Sequence, residues 1–71
     1  MPKAEISNEI RRLRFEHDEL TQQSLADRVG CSRQTIVLLE QGRYAPSLAL
    51  AFRIARTFEL TVEQVFTFEG E

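Results

Sequence analysis

The chain has one cysteine, one histidine and no long apolar run, and each shortage excludes something. A single cysteine forms no intrachain disulfide, so no covalent staple of that kind supports the fold. No apolar run is long enough to span a bilayer and no leader pattern is visible, so the chain is expected in the cytoplasm, away from membranes. The lone His17, the lone Cys31 and the scattered carboxylates show neither nucleophile–base spacing nor metal-ligand spacing. No glycine-rich loop is present to cradle a phosphate. An enzyme is therefore the least favoured reading, and no metal, cofactor or small-molecule ligand is implied.

What is present fits one small domain over residues 1–71. Apolar residues make up 42% of the chain and include five phenylalanines, enough for a modest core. A domain this small without staples often leans on a second copy of itself, so a homodimer is expected. The net charge of −2 argues mildly against a nucleic-acid partner, but its distribution is uneven. Glu59, Glu63, Glu69 and Glu71 fall in a terminal stretch without a base, leaving nine bases against seven acids in residues 1–58. For DNA the local patch matters more than the total.

Residues 1–6 read as a short extended arm. Ser7 suits the N-cap of a first helix of about ten residues, with Ile10, Leu13 and Phe15 on its apolar side. His17-Asp18-Glu19 reads as a polar loop. Thr21 caps a second helix opened by Gln22, Gln23 and Ser24, with Leu25, Ala26 and Val29 as its stripe. Gly30 ends that helix in the left-handed conformation a C-terminus favours. Ser32 caps a third, from Arg33 to about Gln41, with Ile36 and Leu39 inward; Gly42 stops it. Tyr44-Ala45-Pro46 reads as a turn. Ser47 caps a fourth helix, from Leu48 to about Phe58, with Leu48, Ala51, Ile54, Ala55 and Phe58 on one stripe. Thr61 and Gln64 fit the capping box of a short last helix. Phe66-Thr67-Phe68 alternates, as a strand would. It is expected against the arm at Ala4 to Ile6. The fold class is all-α, with five helices and a small two-stranded sheet from the termini.

Two short helices joined by a tight glycine-containing turn cross at a steep angle. Here that unit covers about residues 22–41. The crossing lets Leu25, Val29, Ile36 and Leu39 meet, and it projects the start of the second helix outward. That turn carries Arg33, Gln34 and Thr35. A guanidinium, an amide and a hydroxyl at a positive helix end suit phosphates and base edges.

The run TQQSLADRVGCSRQTIVLLEQGRYAPSLALAFRIA resembles the helix-turn-helix of the Cro and phage-repressor family, also called the xenobiotic-response-element family, in its short single-domain form. The likeness extends from about Asn8 to Phe66. It implies a repressor-like DNA-binding domain that docks on a palindromic operator as a homodimer. By position, Gln22 matches the glutamine that contacts phosphate and braces the recognition helix. Ser32, Arg33, Gln34 and Thr35 match that helix's cap and its base-reading and phosphate-contacting start. Leu38 matches a further groove-facing position, where a leucine meets a thymine methyl rather than a hydrogen-bonding edge. Arg43 matches a basic residue that contacts phosphate. Glu40, at a helix end where the dipole disfavours an anion, is expected to pair with Arg14 of the first helix, as the resemblance also implies. The dimer contact is implied around the last helix and the loop before it, at Leu60, Val62, Val65 and Phe66, near Tyr44 and Pro46. Cys31 stands where valine or threonine is more usual, and Glu59 where a glycine commonly ends the fourth helix. The loop after Arg14 is one residue longer than in the phage proteins.

The function expected is a sequence-specific regulator of transcription, a repressor in sense, acting on double-stranded DNA. The alternative is a protein-interaction module, such as an antitoxin that neutralises a toxin with the same fold. Cys31 reads as a small half-buried turn residue; a redox role would need a depressed thiol pKa, which Arg28 or Arg33 could supply.

Overall fold

Thr21, Ser32, Ser47 and Thr61 each lie in extended backbone just before a helix, and each offers its hydroxyl to an amide in the first turn. These bonds run to Ser24, Thr35, Leu50 and Gln64 at 3.0–3.2 Å. Each such cap contributes about 1 kcal/mol, which matters for helices this short. The computed structural model describes residues 5–70. Its order is β1 (Ile6–Asn8), α1 (Ile10–Glu16), α2 (Gln22–Val29), α3 (Arg33–Glu40), α4 (Leu48–Thr57), α5 (Val62–Val65) and β2 (Phe66–Phe68). At Thr61 the capping box is complete, because the Thr61 amide donates back to the Gln64 side chain at 2.8 Å.

The helices meet around one core, to which each contributes a fully buried side chain: Ile10, Leu25, Ile36, Ile54 and Val65. Burying each stabilises the fold by about 1.5–3 kcal/mol. α2 packs on both α3 and α4, and α5 closes against α4. Gly30 sits at φ 77°, and the amides of Gly30 and Cys31 both return to the Ala26 carbonyl. That tight reversal sets the crossing of α2 and α3. No helix among the described residues is long and apolar enough to cross a membrane.

Several local expectations give way to tertiary pairing. Ser7 does not cap α1; it lies in β1, opposite Thr67. The sheet is antiparallel with Ile6 opposite Phe68 and Asn8 opposite Phe66, so the arm pairs further along than Ala4 to Ile6. Ala4 itself lies outside the described residues. Because the strand takes Ser7, α1 has only seven residues. Its inward positions are Ile10 and Leu13; Phe15 projects from the opposite side and is 70% exposed. In α4 the stripe turns on Leu50 rather than Leu48, which sits at the first helical position and is 71% exposed.

Both α3 and α4 close with the same pattern of bonds. After α3, the Gly42 amide bonds Leu39 and the Arg43 amide bonds Leu38. After α4, the Glu59 amide bonds Arg56 and the Leu60 amide bonds Ala55. This motif needs a left-handed residue at its centre. Gly42 adopts φ 70° freely, whereas Glu59 is held at φ 58° with a side chain that opposes it. Glu59→Gly is therefore expected to stabilise the domain by roughly 0.5–1 kcal/mol, the relief exceeding the entropy of the added glycine. Thermal unfolding checks this, and a lowered midpoint would contradict it.

Candidate nucleic-acid interface

The face built by α3 depends on what holds that helix. Glu40, its last residue, carries a carboxylate where the helix dipole is unfavourable. Arg14 of α1 meets it with Nε to Oε2 at 2.7 Å and Nη2 to Oε1 at 3.1 Å. The same guanidinium donates Nη1 to the Leu20 carbonyl at 2.9 Å. Gln22, at the start of α2, donates Nε2 to Glu40 Oε1 at 3.2 Å. The Arg14 and Glu40 side chains keep only 16% and 8% of their surface. One fork thus ties α1, the following loop, α2 and α3 together in a site largely shielded from water.

On that support, Arg33 and Gln34 stand exposed, and Thr35 and Leu38 are half-buried on the same short helix. Ser32 caps it and shares a second hydrogen bond with the Thr35 hydroxyl at 3.0 Å. The amides of Arg33 and Gln34 lie at the helix start, where no intrahelical acceptor precedes them. Beside them runs an open groove lined by Arg11, Arg14, Gln22, Gln23, Arg33 and Glu40, among others. Gln22 and Arg33 line this groove; Ser32, Gln34, Thr35, Leu38 and Arg43 do not. Arg11 and Gln23 are additions to the residues read from sequence. For Arg11 a signal was present: it stands three positions before Arg14, so the two share a flank of α1. Arg12 differs, since it spends its charge on Glu9 and Glu16 at 2.9 and 3.0 Å. Among the described residues, Arg33 and Arg43 form no ion pair.

The remaining reactive groups have structural surroundings. Burial pushes the Cys31 thiol pKa up, and the charge of Arg53 only partly opposes this. The neutral thiol is favoured, which is the reverse of what a redox sensor needs. His17 contacts the Leu13 carbonyl through Nδ1 at 2.8 Å and sets its ring edge-on to Phe58, with centroids 5.0 Å apart. Among the described residues, no three His, Cys, Asp or Glu side chains converge as a metal site would require.

The residues expected at a dimer contact divide. Tyr44 is exposed, Pro46 is half-buried, and Leu60 and Val62 are partly buried against the core. Val65 and Phe66 are withdrawn into the protomer, at 1% and 8% exposure, because the Glu9 amide holds the Val65 carbonyl and β2 pairs with β1. They are core residues rather than surface ones. Leu48, Phe52 and Phe68 are instead left exposed.

A helix-turn-helix family model matches residues 10–65. The chain belongs to that family. It is 44% identical over 66 residues to an uncharacterized HTH-type transcriptional regulator of Methanocaldococcus jannaschii, covering 93% of this chain and 98% of the relative. It is 54% identical over 52 residues to another from Archaeoglobus fulgidus, covering 73% of each. The solution structure of the DNA-binding domain of the P22 c2 repressor superposes with a TM-score of 0.66 at 20% identity, over 78% of this chain and 72% of that one. At that identity the likeness is one of fold.

Removing one partner of the fork leaves the other shielded and unmatched. Arg14→Ala is expected to destabilise the domain by about 2–4 kcal/mol, less than a fully buried pair because some water reaches Arg14. Chemical denaturation measures this, and an unchanged midpoint would count against the role given to the fork.

Proposed function

We propose that this chain is a sequence-specific regulator that binds double-stranded DNA as a homodimer, on a palindromic operator, with α3 in the major groove. The observation that carries the reading is the exposed polar start of α3, presented on a helix braced by Arg14, Glu40 and Gln22. Repression is the sense that follows most directly, since a bound dimer occludes the DNA it covers.

Each residue then has its own task. Gln34 reads a base, with adenine the best match to a bidentate amide. Arg33 meets a guanine edge or a phosphate. Thr35 and Ser32 lie at the helix start, within reach of the backbone or a base edge, and Leu38 offers a methyl-sized contact to thymine. Gln22 keeps one Nε2 proton beyond the one given to Glu40, and that proton can meet a phosphate. Arg43, directly after the closing turn of α3, meets the DNA backbone, and Arg11 adds positive charge along the groove that Arg33 lines.

The eight residues of α3 span only about 12 Å, which covers a few base pairs. Specific affinity therefore needs two copies with their reading helices about 34 Å apart. Tyr44, Pro46, Leu60 and Val62 are the proposed contact, with the exposed Leu48 and Phe52 as further apolar surface beside the Tyr44–Pro46 loop.

Selection of bound sequences from random DNA tests the reading directly. Against the selected site, Gln34→Ala should relax one operator position by about 1–3 kcal/mol. Arg43→Ala should instead weaken binding to every sequence and flatten the salt dependence by about one unit of slope. Equal losses on operator and random DNA for Gln34→Ala would overturn its assignment. For the dimer, Val62→Asp should sediment as a folded monomer with reduced operator affinity. A dimeric Val62→Asp would show the interface misplaced, and a monomeric wild type bound to one half-site would remove the dimer.

A further inference from the structure

Asn8 makes a connection that none of these roles uses. It ends β1 and stands opposite Phe66 of β2. Its Oδ1 accepts from the Ile10 amide at 3.1 Å, a local turn that starts α1, which has no side-chain cap of its own. Its Nδ2 donates to the Leu39 carbonyl at 2.7 Å, across 31 positions of sequence. That carbonyl also accepts the Gly42 amide that closes α3. On either side of Asn8 the backbone is fixed as well: the Glu9 amide bonds the Val65 carbonyl at 2.9 Å, and the Glu69 amide bonds the Glu5 carbonyl at 2.7 Å. The terminal sheet and α5 therefore hold Asn8, and Asn8 holds the last turn of α3.

We infer that Asn8 is a positioning residue for base reading, carrying the placement of the terminal sheet into the tilt of α3. The inference rests on the DNA-reading function proposed above. A helix of this length is a rigid rod, so a tilt of roughly 5° at one end moves the other by about 1 Å over its ~12 Å length. Base-edge hydrogen bonds form over a range of only about 0.5 Å and do not survive such a shift. Phosphate contacts made by long cationic side chains do survive it. The signature of Asn8 is therefore discrimination between sequences, with general DNA affinity left in place.

Two variants separate the two ends of this side chain. Asn8→Ser keeps an acceptor for the Ile10 amide but is too short to reach Leu39. Asn8→Asp is isosteric and keeps the acceptor, but it replaces the donor with an oxygen facing the carbonyl. Ser7→Asp, on the exposed neighbouring position, controls for the added charge. Each full-length chain is titrated with selected operator and with random DNA well below its unfolding midpoint, and amide exchange is followed at Gly42 and Arg43. Both Asn8 variants should lose about tenfold or more in the operator-to-random ratio, with random-DNA affinity within about twofold of wild type or of Ser7→Asp, and with faster exchange at Gly42 and Arg43. If Asn8→Asp fails to fold, Asn8→Ser carries the comparison. A wild type that discriminates alongside Asn8 variants that discriminate equally well overturns the inference, whatever the exchange shows. A wild type that prefers no sequence overturns the DNA-reading function itself, and this inference with it.

Discussion

A carboxylate at the C-terminal end of a helix faces the negative pole of the peptide dipoles, and Glu40 occupies that position as the last residue of α3. It is tolerable there because the Arg14 guanidinium supplies both hydrogen bonds and charge. The pair stabilises little in net terms, since removing two ions from water offsets much of their attraction. What it supplies is geometry. A planar fork engages a carboxylate in one orientation, and its third bond, to the Leu20 carbonyl, fixes where α2 begins. Gln22 then completes the satisfaction of Glu40 from the first turn of α2. The coordination of one side chain thus ties three helices together.

The rest of the structure makes such short helices possible. An isolated helix of eight residues would not persist in water, so the termini must be satisfied and one face buried. The four hydroxyl caps do the first at one end, and the left-handed closures at Gly42 and Glu59 do it at the other. Arg53 serves a further terminus by donating Nε to the Val29 carbonyl at 2.8 Å, which links α4 to the end of α2. This bond also accounts for the position of Arg53 beside Cys31. From there the charge of Arg53 only partly opposes the rise in thiol pKa that burial causes.

What could be read in advance divides according to the distance over which each feature is decided. Thr21, Ser32, Ser47 and Thr61 were legible because a cap is settled within four residues by a hydroxyl and an amide. Gly30 and Gly42 were legible for the same reason. Ser7 has the same chemistry as Ser32, and locally nothing distinguishes them; its fate is decided by Thr67 at the far end of the chain. Leu48 and Leu50 are equally apolar, and the choice between them depends on which flank of α4 meets α2 and α5. The resemblance assigns Val65 and Phe66 to a dimer contact, and their withdrawal into the core follows from bonds to Glu9 and Asn8 at the other end of the chain. The bond from Asn8 to Leu39 had no local signal, because its acceptor is a backbone carbonyl that every sequence possesses. On the candidate interface, residue identity and helical position were readable at Arg33, Gln34 and Thr35, whereas the groove beside Arg11 exists only once α1 is docked.

Part of the acidic total is taken up by pairing within the domain. Glu40 is matched by Arg14 and offers the groove little free negative charge. Glu9 and Glu16 are occupied by Arg12 on an exposed flank of α1. Glu5 and Glu69 lie at the outer end of the sheet, joined by backbone, and line a depression that meets the groove of Arg11 and Arg33 at Glu40 and Gln41. Within the groove, Arg11 and Arg33 stand with Glu19, which forms no ion pair among the described residues and partly opposes their charge. If α3 reads DNA as proposed, the carboxylates of the sheet oppose diffuse attraction to any polyanion, and their effect falls on non-specific binding more than on contacts to base edges.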